Sequence, residues 1–409
     1  MSRPTLVIVG AGLAGAKAAE AARDAGFDGR VVLVGDEAGP PYERPPLSKA
    51  VLRGEADADS TRVHTESFYT EQDIELVTDR VTAIHTGERH VELADGGTLT
   101  FDRAIITTGA APRRLPVPGA ELDGVRYLRN IGDSLALHDA IRAADRVAVV
   151  GAGWIGSEVA ASAREMGADV VLIAPQAVPL QNVLGARAGE VFRRLHAEHG
   201  VHLRLGVHVR ELRGVHAVRE VVLDDGTAEA ADLVIAGIGV TPRTDLAGAA
   251  GLRVDDGILV DHHLATDVPG IYAAGDVANA WHPHYRRHVR VEHWANALHQ
   301  GAAAGRNAAG LRETYDRMPY FFSDQYDLGM EYVGRGAADD EVVVRGDLDA
   351  REFVAFWRRD GVVTAAMNVN VWDVADDLAA IVAAGRPVDA ERLGDEGLPL
   401  AELAASGTR

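Results

Sequence analysis

The chain has 409 residues and a formal net charge of −20, from 61 acidic and 41 basic side chains, and it contains no cysteine. This charge disfavours a general nucleic-acid or membrane-surface role, and no uncharged apolar run approaches the ~18 to 20 residues of a membrane helix. Without cysteine the chain can neither relay electrons through a thiol pair nor ligate its own iron–sulfur cluster. The length is sufficient for two or three domains.

The opening stretch combines an apolar run, a glycine-rich turn, an alanine-rich helical pattern, a second apolar run and an acidic end. Gly10, Gly12 and Gly15 have the GxGxxG spacing. The first glycine permits a tight turn, the second lets a pyrophosphate approach the backbone, and the third lets the helix pack on the strand. The helix N-terminus offers free N–H groups, and Asp36 or Glu37 can accept ribose hydroxyls. The stretch therefore predicts a dinucleotide-binding strand–helix–strand unit.

A proline-rich connection over residues 39–54 follows. Only Lys17 and Lys49 are lysines, which suggests that an amine is needed at position 49. The LSKAVLR segment predicts a helix that brings Lys49 near the strand ends, where its charge would stabilise negative charge on a bound cofactor. The alternative is a solvated helix lysine. Residues 74–106 then alternate as strands, with ADGG as a hairpin turn, before the turn at Thr108 and Gly109.

The glycine motif returns in the second unit, where Gly151, Gly153 and Gly156 have the same spacing. Two such units predict two dinucleotides. Because a hydride cannot usefully pass between two identical nicotinamides, the economical pairing is one flavin and one nicotinamide.

Three further positions in the second unit bear on its chemistry. Trp154 is either a lid on the hydride path or a packing residue. Glu158 either pairs with Lys49 or is a favourable charge near a helix N-terminus. Ala174 ends the second strand, where the first unit has an acid, and no arginine lies between 175 and 186. The preference between NADH and NADPH is therefore not readable from these residues.

The later chain contributes further candidate flavin contacts. Gly275 and Asp276 end an apolar strand, and Asp276 is predicted at the N-terminus of a following helix, facing the ribityl and pyrophosphate groups. A second helix begins near residues 292–294, and its dipole can point at the flavin pyrimidine. The nearby histidines match no strong metal-ligand pattern, so we predict no metal site among His282, His284, His288 and His293. The aromatic-rich tail from residue 318 predicts a small α+β module that covers the flavin.

Seven segments carry a family resemblance over essentially the whole chain: VIVGAGLAG, LVGDE, YERPPLSK, VVGAGWIGSEVA, GIYAAGDVA, VEHWANALHQG and YFFSDQYDLGMEYVG. In them the chain resembles the FAD-dependent, NADH-using ferredoxin reductases of bacterial oxygenase systems and, more distantly, apoptosis-inducing factor. The PPLSK, VEHWANAL and SDQYD segments are far more specific than either glycine motif. Relatives carry an acid where this chain has Ala174.

The resemblance implies FAD contacts by Gly10, Gly12, Ala14, Asp36, Lys49, Val81, Arg129, Asp276 and Trp294. It implies NADH contacts around Gly153, Trp154, Ile155 and Gly239, and a catalytic Lys49–Glu158 pair beside the flavin. The full set of predicted cofactor-binding residues also includes Leu13, Gly15, Glu37, Arg44, Pro45, Thr108, Gly109, Gly151, Gly156, Glu158, Gly275, Glu292 and His293.

We therefore predict an α/β fold with two Rossmann-like, glutathione-reductase-like domains and a small C-terminal α+β domain. The predicted domains are an FAD domain (1–111 and 243–318), an NAD domain (112–242) and a C-terminal domain (319–409). The predicted function is electron transfer from NAD(P)H through FAD to a two-iron two-sulfur ferredoxin that serves a monooxygenase or dioxygenase. The rivals are reduction of rubredoxin or quinone, and an NADH-responsive interaction protein like apoptosis-inducing factor.

A ferredoxin is usually acidic, as this chain is, so docking would need a local basic patch. We predict a monomer or weak homodimer, no nucleic-acid or membrane partner, and a cytoplasmic location, since the first strand begins by about residue 5 and leaves no room for a signal peptide. The candidate docking arginines are Arg286, Arg287, Arg290, Arg335, Arg358 and Arg359; the alternative is that they are ordinary solvated surface.

Overall fold

A computed structural model describes residues 3–405 of the chain. Up to residue 112 its elements are β1 Thr5–Val9, α1 Leu13–Asp24, β2 Arg30–Gly35, a 3-10 turn Pro45–Ser48, α2 Ala50–Arg53, a 3-10 turn Ala58–Thr61, α3 Glu66–Glu71, β3 Ile74–Thr78, β4 Val81–His85, β5 His90–Leu93, β6 Thr98–Thr100, β7 Arg103–Ile106 and β8 Ala110–Pro112.

The next part of the chain, up to residue 239, contains the second glycine motif. Its elements are β9 Val125–Arg126, α4 Ile131–Ala143, β10 Arg146–Val150, α5 Trp154–Glu165, β11 Asp169–Ala174, α6 Gln181–Glu198, β12 His202–Leu205, β13 Val209–Gly214, β14 Val218–Leu223, β15 Ala228–Ala230 and β16 Leu233–Ala236.

The remaining elements follow in two groups. Up to residue 319 they are β17 Val240–Pro242, α7 Asp245–Ala249, β18 Ile258–Val260, β19 Ile271–Ala273, a 3-10 turn Gly275–Val277, β20 Ala278–His282, β21 Arg287–Arg290 and α8 Trp294–Ala309. Beyond it they are β22 Tyr320–Gln325, β23 Leu328–Gly334, β24 Glu341–Asp347, β25 Glu352–Arg359, β26 Val362–Val369, α9 Ala375–Ala384, α10 Ala390–Gly394 and α11 Leu400–Ala405.

The chain forms two compact units. The first contains residues 1–43, 58–111 and 240–319, and the second contains 44–57, 112–239 and 320–409. The first unit is built on a parallel sheet in the order β19-β7-β1-β2-β3. The central strands β1 and β2 are apolar along their length and buried on both faces, as expected of parallel strands covered on both sides.

Helices α1 and α8 pack closely against each other in the first unit. A Cβ atom on Gly301 would lie 2.3 Å from the backbone oxygen of Ala14, and one on Gly305 would lie 2.1 Å from that of Ala18. Only glycine permits this separation, so the alanine- and glycine-rich sequence of α8 sets the distance between the two helices. That contact supports the helix that carries the first glycine motif.

The second unit contains a matching parallel sheet in the order β12-β11-β10-β16-β9. It also contains an antiparallel sheet in the order β22-β23-β26-β25-β24, followed by α9, α10 and α11. Side chains of this antiparallel sheet and of α6 share one apolar cluster, in which Trp357, Phe353 and Phe192 are fully buried. Most aromatic residues of the tail therefore lie in a core, whereas Trp372 is 55% exposed.

Two local predictions need correction. Asp276 does not begin a long helix, because the three-residue turn Gly275–Val277 is followed directly by strand β20, which pairs with β18 and β21. The LSKAVLR segment is not one helix: a 3-10 turn ends at Ser48, and a single helical turn begins at Ala50. The ADGG hairpin turn is confirmed between β5 and β6. None of the described helices is long and apolar enough to cross a membrane.

Two glycine cradles and a buried Lys49–Glu158 pair

The first glycine motif forms an open cradle at the N-terminus of α1. Gly10 has a φ of 115°, and a Cβ atom there would lie 2.3 Å from the carbonyl oxygen of Thr107. A Cβ atom on Gly15 would lie 2.1 Å from the oxygen of Gly10, so this glycine is needed for close packing. A Cβ atom on Gly12 would meet nothing within 4 Å. The backbone N–H groups of the first turn, at Leu13 and Ala14, therefore border open space that suits a pyrophosphate.

The other predicted residues of the first unit lie after β2, after β7 and in the separate sheet β4-β5-β6. Asp36 is exposed directly after β2, and Glu37 accepts a hydrogen bond from the Tyr42 hydroxyl. Thr108 donates from Oγ1 to the Arg243 carbonyl at 2.8 Å, and Gly109 has a φ of 68°. The predicted Val81 is buried in the core at the start of β4.

Helix α8 offers a second helix N-terminus in this unit. It begins at Trp294 with His293 as its N-cap, and no acidic residue lies in its first turn. Glu292, just before it, forms an ion pair with Arg290. The Gly275 N–H donates to the side-chain oxygen of Gln300 in α8 at 3.0 Å, which ties the turn holding Asp276 to this helix. The positive end of the α8 dipole is thus available to a negative group.

The second unit repeats the cradle almost atom for atom. Gly151 has a φ of 104°, and its Cβ would lie 2.4 Å from the oxygen of Gly237. A Cβ on Gly156 would lie 1.9 Å from the oxygen of Gly151, whereas one on Gly153 would meet nothing within 4 Å. Helix α5 begins directly after Gly153 and has no acid in its first turn. This unit therefore fits a second pyrophosphate by the same criterion.

The buried pair predicted from sequence is present within the second unit. The Lys49 ammonium lies 2.8 Å from Glu158 Oε1, and the two side chains are 13% and 5% exposed. Ser48 Oγ donates to Glu158 Oε2 at 2.5 Å, and Ser323 Oγ donates to Oε1 at 2.8 Å. The Lys49 ammonium also lies 5.7 Å from the centre of the Phe322 ring. A buried carboxylate is stable only when its oxygens are satisfied in this way.

The charges of Lys49 and Glu158 also affect the pKa of Asp324, which follows Ser323 in the chain. Partial burial raises the pKa of Asp324 above its ordinary value, the cation of Lys49 lowers it, and the anion of Glu158 raises it further. Lys49 is therefore not the solvated helix lysine of the alternative interpretation, and Glu158 is more than a charge at a helix end.

Trp154 is a packing residue in this structure. Its ring meets the rings of Phe321 and Phe192 at centroid distances of 4.7 and 6.1 Å, in edge-on geometry. The following residue, Ile155, is 47% exposed beside the open cradle. Such packing fixes the start of α5 and leaves the exposed side of the cradle to Ile155.

The strand register refines the comparison of the two units. Arg30 pairs with Thr5 and Asp169 with Arg146, so Ala174 corresponds to Gly35 and the equivalent of Asp36 is Pro175. The expectation that Ala174 itself occupies the place of the acid is therefore one residue off. The second unit still has no acid at the end of this strand to accept ribose hydroxyls, because the chain has no carboxylate from 174 to 176.

The remaining predicted contacts lie in the second unit. Arg44 donates to the carbonyl of Arg129, whose own N–H donates to Asp133 at 2.9 Å. Pro45 begins the 3-10 turn that precedes Lys49. Gly239 has a φ of 98° and accepts a hydrogen bond from the backbone of Arg113 at 2.9 Å.

Among the histidines near the α8 helix, His282 has a backbone partner. His282 is buried and its Nε2 lies 2.9 Å from the Arg317 carbonyl; burial lowers its pKa, and this hydrogen bond partly opposes the shift. A group not anticipated from sequence lies on the β4–β5 hairpin, where the ligand atoms of His85, His90 and Glu92 lie within 4.8 Å of one another. It is the one such group among residues 3–405.

The candidate docking arginines differ in availability. Arg290 pairs with Asp256 at 3.1 Å and Arg358 with Glu341 at 2.8 Å, and both arginine side chains are only 11% exposed. Arg359 pairs with Asp339 and Asp340. Arg286 and Arg287 are exposed and form no ion pair with any residue in the part of the chain that the structure describes. The backbone N–H of Arg335 donates to the carbonyl of Thr364.

Residues 4–301 match the pyridine nucleotide-disulphide oxidoreductase family. The chain belongs to this family. Residues 320–404 of this oxidoreductase match a second family, the reductase C-terminal domain, in agreement with the predicted α+β module. The predicted fold class is therefore confirmed.

Individual relatives cover almost the whole oxidoreductase. It is 38% identical to putidaredoxin reductase of Pseudomonas putida, over 98% of this chain and 97% of the relative. It is also 38% identical to the ferredoxin–NAD(+) reductase component of an anthranilate 1,2-dioxygenase system of Burkholderia cepacia, over 97% and 98%. Among solved structures, the covalent putidaredoxin reductase–putidaredoxin complex superimposes with a TM-score of 0.93 at 37% identity, covering 99% of each chain.

Proposed function

We propose that this protein is an FAD-dependent ferredoxin–NAD(+) reductase that supplies electrons to an oxygenase system. The observation that carries this function is the pair of matching cradles, each with an open glycine at a helix N-terminus, in a chain without cysteine. Two dinucleotides fit these cradles, and the cofactors are FAD and NADH. With no thiol in the chain, electrons leave to an external carrier.

The residues would divide this work between the two units. We propose that Gly10, Gly12, Gly15 and Asp36 hold FAD and that Gly151, Gly153 and Gly156 hold NADH. FAD, when bound, accepts a hydride and returns single electrons. The Lys49 cation would favour the negative charge that this acceptance creates, and Glu158 would hold that cation in place.

The type of carrier, the location, the oligomeric state and the docking surface are further proposals. The carrier would be a two-iron two-sulfur ferredoxin serving a monooxygenase or dioxygenase. The protein would work in the cytoplasm as a monomer or weak homodimer. Its ferredoxin would dock on the β20–β21 hairpin, where the half-exposed Trp281 lies beside the exposed Arg286, Arg287 and His288. Tryptophan and arginine often provide most of the binding energy in interfaces.

Replacing the open glycines tests the cofactor assignment. Because a methyl group at Gly12 or Gly153 would meet no residue beyond its chain neighbours within 4 Å, we expect alanine to leave the fold intact and to clash only with a bound pyrophosphate. We expect Gly12→Ala to lose FAD and its yellow colour. Gly153→Ala should keep FAD and raise the KM for NADH by about tenfold or more, measured in anaerobic titrations; a 1.4 kcal/mol loss of binding is tenfold.

Each variant is the control for the other. Loss of colour in both, or in neither, would contradict the assignment of the two nucleotides. The acceptor is tested separately, by cytochrome c reduction with added candidate ferredoxins and with quinone. Fast turnover with quinone and none with any ferredoxin would instead favour a quinone reductase.

A further inference from the structure

The SDQYD segment has no assigned role, although it is one of the most specific motifs of the chain. Its Ser323, Gln325 and Tyr326 side chains form a line of hydrogen bonds that starts at Glu158, passes through His196 of helix α6 and ends at the Tyr326 hydroxyl. Gln325 Nε2 lies 3.3 Å from Ser323 Oγ, His196 Nε2 lies 3.1 Å from Gln325 Oε1, and the Tyr326 hydroxyl lies 3.4 Å from His196 Nδ1. Ser323, Gln325 and His196 are each at most 1% exposed, so water does not compete for these bonds.

The proton positions along this line follow from the buried carboxylate. Ser323 has one hydroxyl hydrogen, and Glu158 as an anion has none to offer, so the hydrogen of Ser323 is directed at Glu158. The Ser323 oxygen can then only accept from Gln325, which presents its amide NH₂ group. The oxygen of Gln325 therefore faces His196, which must donate from Nε2. In that tautomer the Nδ1 atom of His196 accepts from Tyr326.

The environment of His196 favours this neutral tautomer. Burial lowers the pKa of His196 to about 4, with the hydrogen bond to Gln325 opposing the shift and the nearby His199 adding to it. The ring of Tyr326 stacks on that of His199 at a centroid distance of 3.7 Å, which holds the hydroxyl near His196. Tyr326 has a φ of 56°, a conformation that costs energy in a residue other than glycine and persists only when its surroundings fix it.

We propose that His196 is a positioning residue for Glu158: by donating from Nε2 it orients the Gln325 amide, which in turn keeps Ser323 as a donor to the carboxylate. Without that donor, Gln325 is free to turn its oxygen towards Ser323. The hydroxyl of Ser323 would then point away from Glu158, and the carboxylate would keep only Lys49 and Ser48 as partners.

Charged and titratable groups on several neighbouring elements lie near this line. Lys49 precedes α2, Asp324 lies on β22, and Arg164 and Glu165 lie at the end of α5, where Arg53 pairs with Glu165 at 3.2 Å. His199 lies on the other side of Tyr326. All of them remain in place in the variants below, so differences among these variants report the hydrogen bonds of the line itself.

The first test reads the tautomer directly. In protein labelled with [15N]histidine, the His196 signals are those that disappear in His196→Gln. We expect the neutral Nε2–H tautomer from about pH 6 to 9. The Nδ1–H tautomer would overturn the proposal, because Nε2 would then accept from Gln325 and the direction of the whole line would reverse. This result does not depend on any cofactor.

The second test uses the pH profile of FAD reduction by NADH in stopped-flow experiments, and it rests on the proposed function. Loss of a hydrogen bond to a charged group is worth ~1.5 kcal/mol or more, which corresponds to about one pH unit. We expect His196→Leu and Ser323→Ala each to shift the acid limb of this rate–pH profile to higher pH by about one unit. The double variant should shift it no further than either single variant. His196→Gln, which keeps a donor, should restore most of the original profile.

Ser157→Ala is the matched control. Ser157 precedes Glu158 on α5, and its buried hydroxyl has no hydrogen-bond partner in the described chain, so its removal should leave the profile unchanged. Additive shifts in the double variant, or identical profiles in all variants, would overturn the proposal. If NADH fails to reduce the protein at all, the proposed function fails, whereas the tautomer measurement still decides the role of His196.

Discussion

At the residue scale, the least typical feature is a lysine–glutamate pair held almost entirely out of solvent. Removing two charges from water costs several kcal/mol, and their attraction offsets this only when further hydrogen bonds complete the shell. Ser48 and Ser323 complete it for Glu158, from 110 residues earlier and 165 residues later in the chain. Several buried polar groups around one carboxylate are typical of a site where charge must be controlled.

His196 gives a prediction for stability at acid pH. Its folded-state pKa of about 4 lies below its ordinary value of 6.5, so the unfolded chain binds more protons between these limits. The contribution of neutral His196 to the free energy of unfolding is therefore fully present above about pH 6.5, and it is lost as the pH falls towards 4. We expect His196→Gln to flatten the decline of the thermal unfolding midpoint over this interval, followed by circular dichroism. An unchanged slope would contradict the burial of a neutral imidazole.

The sequence predicted some site residues and could not predict others, for reasons of chain distance. Gly10, Gly12 and Gly15 act locally, so their spacing is sufficient to identify them. Lys49 could be singled out because the chain has only one other lysine. Gln325 and His196 are 129 positions apart and meet only when α6 packs on the antiparallel sheet, so no local pattern identifies their pairing.

At the element scale, the contact between α1 and α8 gives the next prediction. Alanine at Gly301 would place a methyl group 2.3 Å from the backbone oxygen of Ala14, so the helices must separate. Overpacking of this kind typically costs ~1 to 3 kcal/mol. We expect Gly301→Ala to lower the thermal midpoint and to weaken FAD retention, because α1 carries the first cradle.

Gly248→Ala is a suitable control for that variant. Gly248 lies in α7, and an added methyl group there meets nothing within 4 Å. Alanine also has the higher helix propensity, so stability should stay the same or rise slightly. Equal losses in the two variants would mean that the α1–α8 separation is not what makes Gly301 necessary.

Element predictions succeeded where periodicity is strong and failed where tertiary pairing decides. The apolar runs of β1 and β10 are buried parallel strands, as predicted. The alanine-containing stretch after Asp276 suggested a helix, but residues 278–282 are a strand because two neighbouring strands supply hydrogen bonds. Helix α6 is interrupted at Gly185, whose φ of 75° no helical pattern indicates.

At the scale of the whole molecule, the chain is strongly acidic. Since a ferredoxin is usually acidic too, we expect the proposed carrier to dock on a small local region. We expect reversal of Arg286 and Arg287 to glutamate to raise the KM for ferredoxin several-fold. It should also reduce the dependence of that KM on ionic strength, because screening acts on the charges that have been removed. NADH-dependent reduction of ferricyanide, a small acceptor, should not change.

A charge-matched control separates docking from net charge. Arg253→Glu and Arg219→Glu together change the total charge by the same amount at side chains that are 66% and 70% exposed. If this pair of substitutions weakens ferredoxin reduction as strongly as reversal of Arg286 and Arg287, the ferredoxin is guided by the electrostatic field of the whole protein and not by the β20–β21 hairpin.

The break in α6 at Gly185 has an optical consequence. It leaves the Leu184 carbonyl free to accept from the indole of Trp357 at 3.2 Å, and that ring is fully buried between α6 and the antiparallel sheet. A tryptophan in such an apolar place should fluoresce at short wavelength, and its emission should move to the red as soon as the sheet loosens from the helix. Subtracting the spectrum of Trp357→Phe would isolate this signal, and a loosening of this part of the protein could then be followed without any added dye.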